Sequence, residues 1–305
     1  MSTTALVPTI LMFIAIVCMG AVARSTGILR REDARGINAI IIYFGLPAFI
    51  FRAVHAAALR VDLLAVVGIA WAVFVVMALL AFGAARLLRL PRTIAGGFVI
   101  AVALGNTGYI GYPITEAIFG PGALPEAIFY DVFGTVTVLV LFGMLIAQRF
   151  GDNDEARVNP LKELATFPAV WALLLALVLR PLPIPNVVGN GLALLASMVA
   201  PLIMLSVGLS LRFSALGRDV GAISVVSVLR LLVAPAVAFG IGSLVLGRGV
   251  PLSVTTLEAG MPTMMLTLIV GDRFGLDTDF IASAIFVTTA LCAVTLPLIQ
   301  TLAFR

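Results

Sequence analysis

The chain has 305 residues, 62% of them hydrophobic and only 11% charged, with a mean hydropathy of +1.18. A soluble domain carries about 25% charged residues, so a soluble core is excluded; a membrane β-barrel is excluded too, because its ~10-residue strands alternate apolar and polar, whereas these runs are apolar on all sides. The net charge of +4 and pI of 9.6 do not signify nucleic acid, since the basic residues form short clusters between apolar runs, where membrane orientation is encoded.

An all-α polytopic membrane protein is therefore predicted. Its spans lie, in chain order, near 5–23, 37–55, 63–85, 93–118, 126–147, 167–181, 187–211, 220–246, 250–272 and 279–302. The first is retained rather than cleaved as a signal peptide, because MSTTA carries no basic residue and Arg24 follows the apolar run. The sixth is short and stops at PLPIPN, where proline ends the helix. The loop 148–167 carries both charge signs and is too short for a second domain. Alternate loops differ in basic residues. One set holds Arg24, Arg30, Arg31, Arg35, Arg86, Arg89, Arg92, Arg149, Arg157, Lys162, Arg212, Arg218 and Arg273; the other holds Arg52, Arg60, Arg180, Arg248 and Arg305. The richer set faces the cytoplasm, which puts both termini outside, in the periplasm, in agreement with an even number of spans. Cys18 and Cys292 show no metal or disulfide spacing and are read as small buried hydrophobes.

The central loop divides the chain into five-span halves, 1–147 and 168–305, and the prolines punctuate both alike. Span two has Pro47 in YFGLPAFIF and span seven has Pro201 in SMVAPLIML; span four has Pro113 closing GNTGYIGYP, and span nine has Pro262 in EAGMPT. Because five is odd, the second half starts from the opposite side, an inverted repeat. Secondary transporters are commonly built this way, with helices interrupted at matching positions around a midplane site. Gly105, Gly108, Gly111, Gly260, Pro113 and Pro262 are thus read as helix-breaking, with Pro47 and Pro201 as the matching pair. The freed backbone groups must face protein or a wet cavity. Half-helices beginning near Ile114 and Thr263 would present partly positive N-termini, which favour an anion such as a carboxylate.

The order Asn-Thr-Gly-aromatic-x-Gly-x-Pro with a following Ile-Phe-Gly, together with EAGMPT and the later GDRFGLD, resembles the auxin efflux carrier family, which includes bacterial malonate carriers. The resemblance covers essentially the whole chain. It implies ten helices in two inverted five-helix repeats, the fold of bile-acid symporters and sodium–proton antiporters, with helices four and nine broken and crossing. It further implies a scaffold domain, a moving transport domain, carboxylate cargo, an elevator-like movement, and a homodimer. The plant members carry Asn-Pro-Asn at the first break, where this chain has Asn106-Thr107-Gly108; that departure and the short central loop favour the bacterial members over an aromatic, auxin-like cargo.

Asn106, Thr107, Gly108, Tyr109, Tyr112, Met261 and Thr263 are the candidate substrate-binding residues. For each there is a plainer alternative: Asn106 satisfying freed backbone, Thr107 bonding its own helix, the tyrosines packing with a satisfied hydroxyl. Glu258, Asp131 and Arg230 are candidates for proton or charge coupling, because an ionisable residue at membrane depth suggests function. Alternatively Glu258 pairs with Arg230, Asp131 caps a helix, and Arg230 reaches the interface on its long stem. Glu116 and His55 are weaker candidates. No GxxxxGK[ST], HExxH or GxSxG is present, which argues against an ATP-driven pump and the usual hydrolases. No cofactor, metal or nucleic acid is expected; the partners are a small organic anion and membrane lipid. The reading is a secondary transporter of a small carboxylate, malonate or another dicarboxylate, in a bacterial inner membrane, proton-linked or not. The alternatives are a sodium-coupled organic anion symporter and a membrane receptor that does not transport.

Overall fold

In lipid no water bonds the backbone, and a helix satisfies its N–H and C=O groups within one segment; the apolar runs accordingly fold as helices. The computed structural model describes residues 6–30, 32–57, 60–153, 155–157, 159–210 and 219–303. Of the basic residues in the charge asymmetry, Arg31, Arg212, Arg218 and Arg305 lie outside these. In chain order the helices are α1 (Leu6–Ser25), α2 (Asp33–Ala56), α3 (Asp62–Leu87), α4 (Arg92–Ala103), α5 (107–119), α6 (Pro121–Phe150), α7 (Pro160–Thr166), α8 (Pro168–Leu179), α9 (Asn186–Leu209), α10 (Val220–Val245), α11 (Val250–Ala259), α12 (Leu266–Phe274) and α13 (Thr278–Ala303). Among the described residues α2, α3, α6, α9, α10 and α13 are each long and apolar enough to cross a membrane. The α7–α8 pair, bent by 58°, makes a seventh if it is one span. The described residues form no β-strand; their one extended pairing is an antiparallel bridge between Gly105 and Thr263.

Large apolar side chains project from the helices into the surroundings, such as Leu79 at 67% exposure, Val178 at 71% and Leu244 at 87%. In water such a surface would be costly; in lipid it is the ordinary outer face. Between helices, small residues set the approach. α1 lies along α9 where Gly20 and Gly208 face each other, so closely that a methyl group on Gly208 would sit 2.9 Å from the Gly20 Cα. Close backbone packing of this kind is how membrane helices associate without a hydrophobic drive between them. α2 and α9 meet at Gly45 and Val199, each two residues before a proline of the matched pair Pro47 and Pro201, and Ser206 Oγ donates to Asn38 Oδ1 at 2.7 Å. Neither proline interrupts its helix for long: α2 runs on through Pro47, and α9 only turns briefly at Met198 ahead of Pro201.

Three π-helical turns end two residues before a proline: Ile41–Gly45 before Pro47, Thr107–Gly111 before Pro113, and Leu229–Val233 before Pro235. Proline lacks an N–H and its ring crowds the carbonyl four residues back; a wider turn ahead of the ring relieves that crowding. As a result α5 starts at Thr107 rather than near Ile114, and Pro113 sits inside the helix instead of at its end.

Candidate functional site: the crossing of two broken helices

α4 stops at Ala103, and Leu104 turns to an extended conformation (φ −112°, ψ 116°). α11 stops at Ala259. The two breaks then run antiparallel across each other: Asn106 N donates to Pro262 O at 2.7 Å, and Met264 N donates to Leu104 O at 3.0 Å. Buried backbone needs partners, and here the carbonyls at both helix ends have them. On α4, Ile100 O accepts from Leu104 N, Ala101 O from Thr263 Oγ1 (3.0 Å), and Val102 O and Ala103 O from Arg230 Nη1 (3.1 and 3.3 Å). On α11, Thr256 O and Leu257 O accept from Gly260 N, Glu258 O from Met261 N, and Ala259 O from Arg230 Nη2. Arg230, 2% exposed and carried on the π turn of α10, therefore bonds the C-terminal ends of both broken helices.

Beyond the crossing, the first turns of α5 meet two buried carboxyl groups. Asp131, on a π turn of α6, accepts from Thr107 Oγ1 at 2.5 Å and from Tyr112 OH at 2.6 Å. Glu258, in the last turn of α11, accepts from Thr115 Oγ1 at 2.8 Å through Oε1, while its Oε2 has no partner. Glycine makes both approaches possible. A methyl group on Gly108 would lie 2.9 Å from Asp131 Oδ2, and one on Gly111 would lie 2.7 Å from Glu258 Cδ. A helix N-terminus attracts negative charge, so the protein's own carboxyls occupy the place where an anionic cargo is expected.

The buried donors without a partner at the crossing are Asn106 Nδ2 and Tyr109 OH on the first break, Arg230 Nε beside it, and Thr256 Oγ1 on α11 ahead of the second. The second break differs. Thr263 donates its hydroxyl to Ala101 O and its N–H to Thr288 Oγ1 (3.1 Å). Met261 is fully buried in an apolar cluster with Ile110, Ile114 and Leu257. A void of about 10 Å³ beside Gly105, Thr107 and Arg230 has room for roughly one water-sized group. The substrate-sized space lies further out, a cavity of about 630 Å³ lined among others by Phe49, Arg52, Arg60, Glu116 and Glu126. Phe49 stacks on Tyr112 with ring centres 5.6 Å apart. A chain of contacts thus leads from the cavity through Phe49 and Tyr112 to Asp131.

The structure brings together Gly105, Asn106, Thr107, Gly108, Tyr109, Gly111, Tyr112, Asp131, Arg230, Glu258, Gly260, Met261, Pro262 and Thr263 at or beside the crossing. Pro113 follows within α5, whereas Pro47 and Pro201 belong to the α2–α9 contact. Glu116 lines the cavity, and His55 Nε2 lies 3.1 and 3.0 Å from Leu179 O and Leu182 O, joining the ends of α2 and α8. Residue-by-residue reading missed Thr115, Thr288, Phe49 and Arg52. Thr115 and Thr288 had a signal, each a hydroxyl inside an apolar run; Phe49 had none. Among the described residues no cluster of three or more metal-ligating side chains occurs.

The sequence profile of the membrane transport protein family, that of the auxin efflux carriers, matches residues 3–300. An "Uncharacterized transporter" of Methanothermobacter thermautotrophicus is 35% identical over 293 residues, covering 95% of this chain and 96% of its own. Another from Methanocaldococcus jannaschii is 32% identical, over 92% of this chain and 93% of its own. A "Putative malonate transporter" of Rhizobium meliloti is 26% identical, over 85% of this chain and 83% of its own. With its apolar helices and paired helix breaks, the chain belongs to the membrane transport protein family of auxin efflux carriers.

Proposed function

We propose that the protein is a secondary transporter of a small carboxylate, malonate or another dicarboxylate, and that it takes up a proton with its cargo. The observation that carries this reading is the uneven crossing: the unpaired donors Asn106 Nδ2 and Tyr109 OH lie on the first break, and the buried carboxyls of Asp131 on α6 and Glu258 on α11 approach the glycines of α5 beside it. Asparagine amide and tyrosine hydroxyl are suitable donors to a carboxylate. Arg230 brings one positive charge to the crossing, and the two carboxyls bring up to two negative ones. A further anion meets repulsion there unless a proton comes with it. Charge balance thus supports coupling between cargo and proton. The Rhizobium relative's printed name supports the choice of malonate as the first cargo to test.

The architecture proposed is ten membrane-spanning segments in two inverted five-helix repeats, 1–147 and 168–305, with both termini on the periplasmic face of a bacterial inner membrane. The short helices α4, α5, α11 and α12 would form two broken spans, and α1 and the α7–α8 pair would each form one. The crossing moves as part of a transport domain, elevator fashion, carrying the site and its Tyr112 past Phe49 of α2. Purified protein in liposomes, preloaded with buffer and given labelled malonate, tests the reading. Saturable uptake that quickens under an inwardly directed proton gradient is expected. A folded protein that moves no acid from a broad panel overturns the reading.

A further inference from the structure

Arg230 does something the transport reading leaves unexplained: it ends two helices at once. α4 and α11 converge with the negative poles of their dipoles and their unpaired last carbonyls facing one spot. Unwound carbonyls and half-helix C-termini are the ordinary ligands of a coupling cation in broken-helix carriers. In this chain Val102 O, Ala103 O and Ala259 O are taken instead by the guanidinium of Arg230. A planar fork suits the task, because it directs separate N–H groups to separate helices, which a lysine ammonium on a flexible stem does not. Pro235, two residues past the π turn of α10, accompanies the widening that carries Arg230 at this depth. Among the described residues no carboxylate hydrogen-bonds Arg230, so its charge answers to the helix ends.

We infer that Arg230 is the crossing's resident cation: a positioning residue that ties the two helix ends together and fills the place of a bound metal cation, so that the crossing takes up no Na⁺. The inference builds on the transport reading in treating the crossing as the site. Its experiment measures folding and cation binding, so a failure to transport and a failure of this inference are distinguishable.

Purified protein in lipid nanodiscs is melted in NaCl and in choline chloride at equal ionic strength, as wild type, Arg230→Gln and Arg230→Lys. A cation that binds the folded state raises the midpoint by mass action. Wild type is expected to melt at the same midpoint in both salts. Arg230→Gln is expected to melt several degrees lower and to regain part of the loss in NaCl but not in choline chloride; Arg230→Lys falls between. A Na⁺-specific rise in wild type overturns the inference. So does Arg230→Gln melting like wild type, or its midpoint being lowered equally in both salts. If Arg230→Gln does not fold, wild type and Arg230→Lys decide: a Na⁺-specific rise in wild type, or Arg230→Lys melting like wild type, overturns it.

Discussion

The two breaks pair with each other, yet they are chemically unlike. At the second break Thr263 is committed on both its N–H and its hydroxyl, and Met261, Met264 and Met265 are buried apolar neighbours. At the first, Asn106 and Tyr109 keep unpaired donors, and two glycines admit the carboxyls of Asp131 and Glu258 to the backbone of α5. The second break therefore commits Thr263 to holding the crossing, whereas the first keeps free donors and receives the carboxyls of Asp131 and Glu258 from α6 and α11. Matched punctuation in two halves need not mean matched side chains: both breaks cut a helix short, but Asn106 and Tyr109 of the first keep free donors while Thr263 of the second is bonded to Ala101 O and Thr288.

Several substitutions break or sharpen that contrast. The largest effect is expected at the carboxyls. Glu258→Gln and Asp131→Asn should each slow malonate uptake about ten- to hundredfold, the rate equivalent of the 1.5–3 kcal/mol carried by a hydrogen bond to a charged group. Glu258→Gln should also leave the residual uptake indifferent to an imposed pH gradient; liposome flux with and without that gradient checks both. Next comes Gly111→Ala. Its methyl group displaces the Glu258 carboxyl from Thr115, so uptake falls steeply in the same liposome assay. Gly105→Ala, whose nearest neighbours would lie 3.4 Å away on the Arg230 guanidinium, should be milder in flux.

Stability should follow the opposite pattern. Thr263→Val leaves Ala101 O without its side-chain donor, costing about 1–3 kcal/mol for an unsatisfied buried group, read as a lower midpoint. Asn106→Ala removes an amide N–H₂ that has no internal partner, and its midpoint should stay near wild type. The smallest effect is expected in the cavity. Arg52→Gln weakens attraction of an anion to the mouth, so uptake slows about two- to threefold at low salt and recovers above ~0.15 M, where exposed charges are screened.

Much of this was legible in the sequence. Gly105, Asn106, Gly260 and Pro262 stand out because nothing in an apolar helix requires them, and they mark the two breaks that pair. Glu258, Asp131 and Arg230 stand out because charge at membrane depth needs a reason. Their partners were not legible. Asp131 bonds Thr107 and Tyr112, 24 and 19 residues away, and Glu258 bonds Thr115 across 143. Position along a helix follows from sequence; direction around its axis, and so which neighbour is met, follows from packing. Arg230 faces carbonyls rather than a carboxylate for that reason. The start of α5 at Thr107 was hidden by its π turn, since Pro113 reads as a boundary until the wider turn ahead of it is seen.

The most direct test of the unequal crossing is thermal unfolding of the purified protein with malonate, in wild type, Asn106→Ala and Thr263→Val. Malonate should raise the midpoint of wild type, should raise that of Thr263→Val from its lower baseline, and should leave Asn106→Ala unchanged. A malonate response that survives in Asn106→Ala and disappears in Thr263→Val would place the ligand chemistry on the second break and contradict the account.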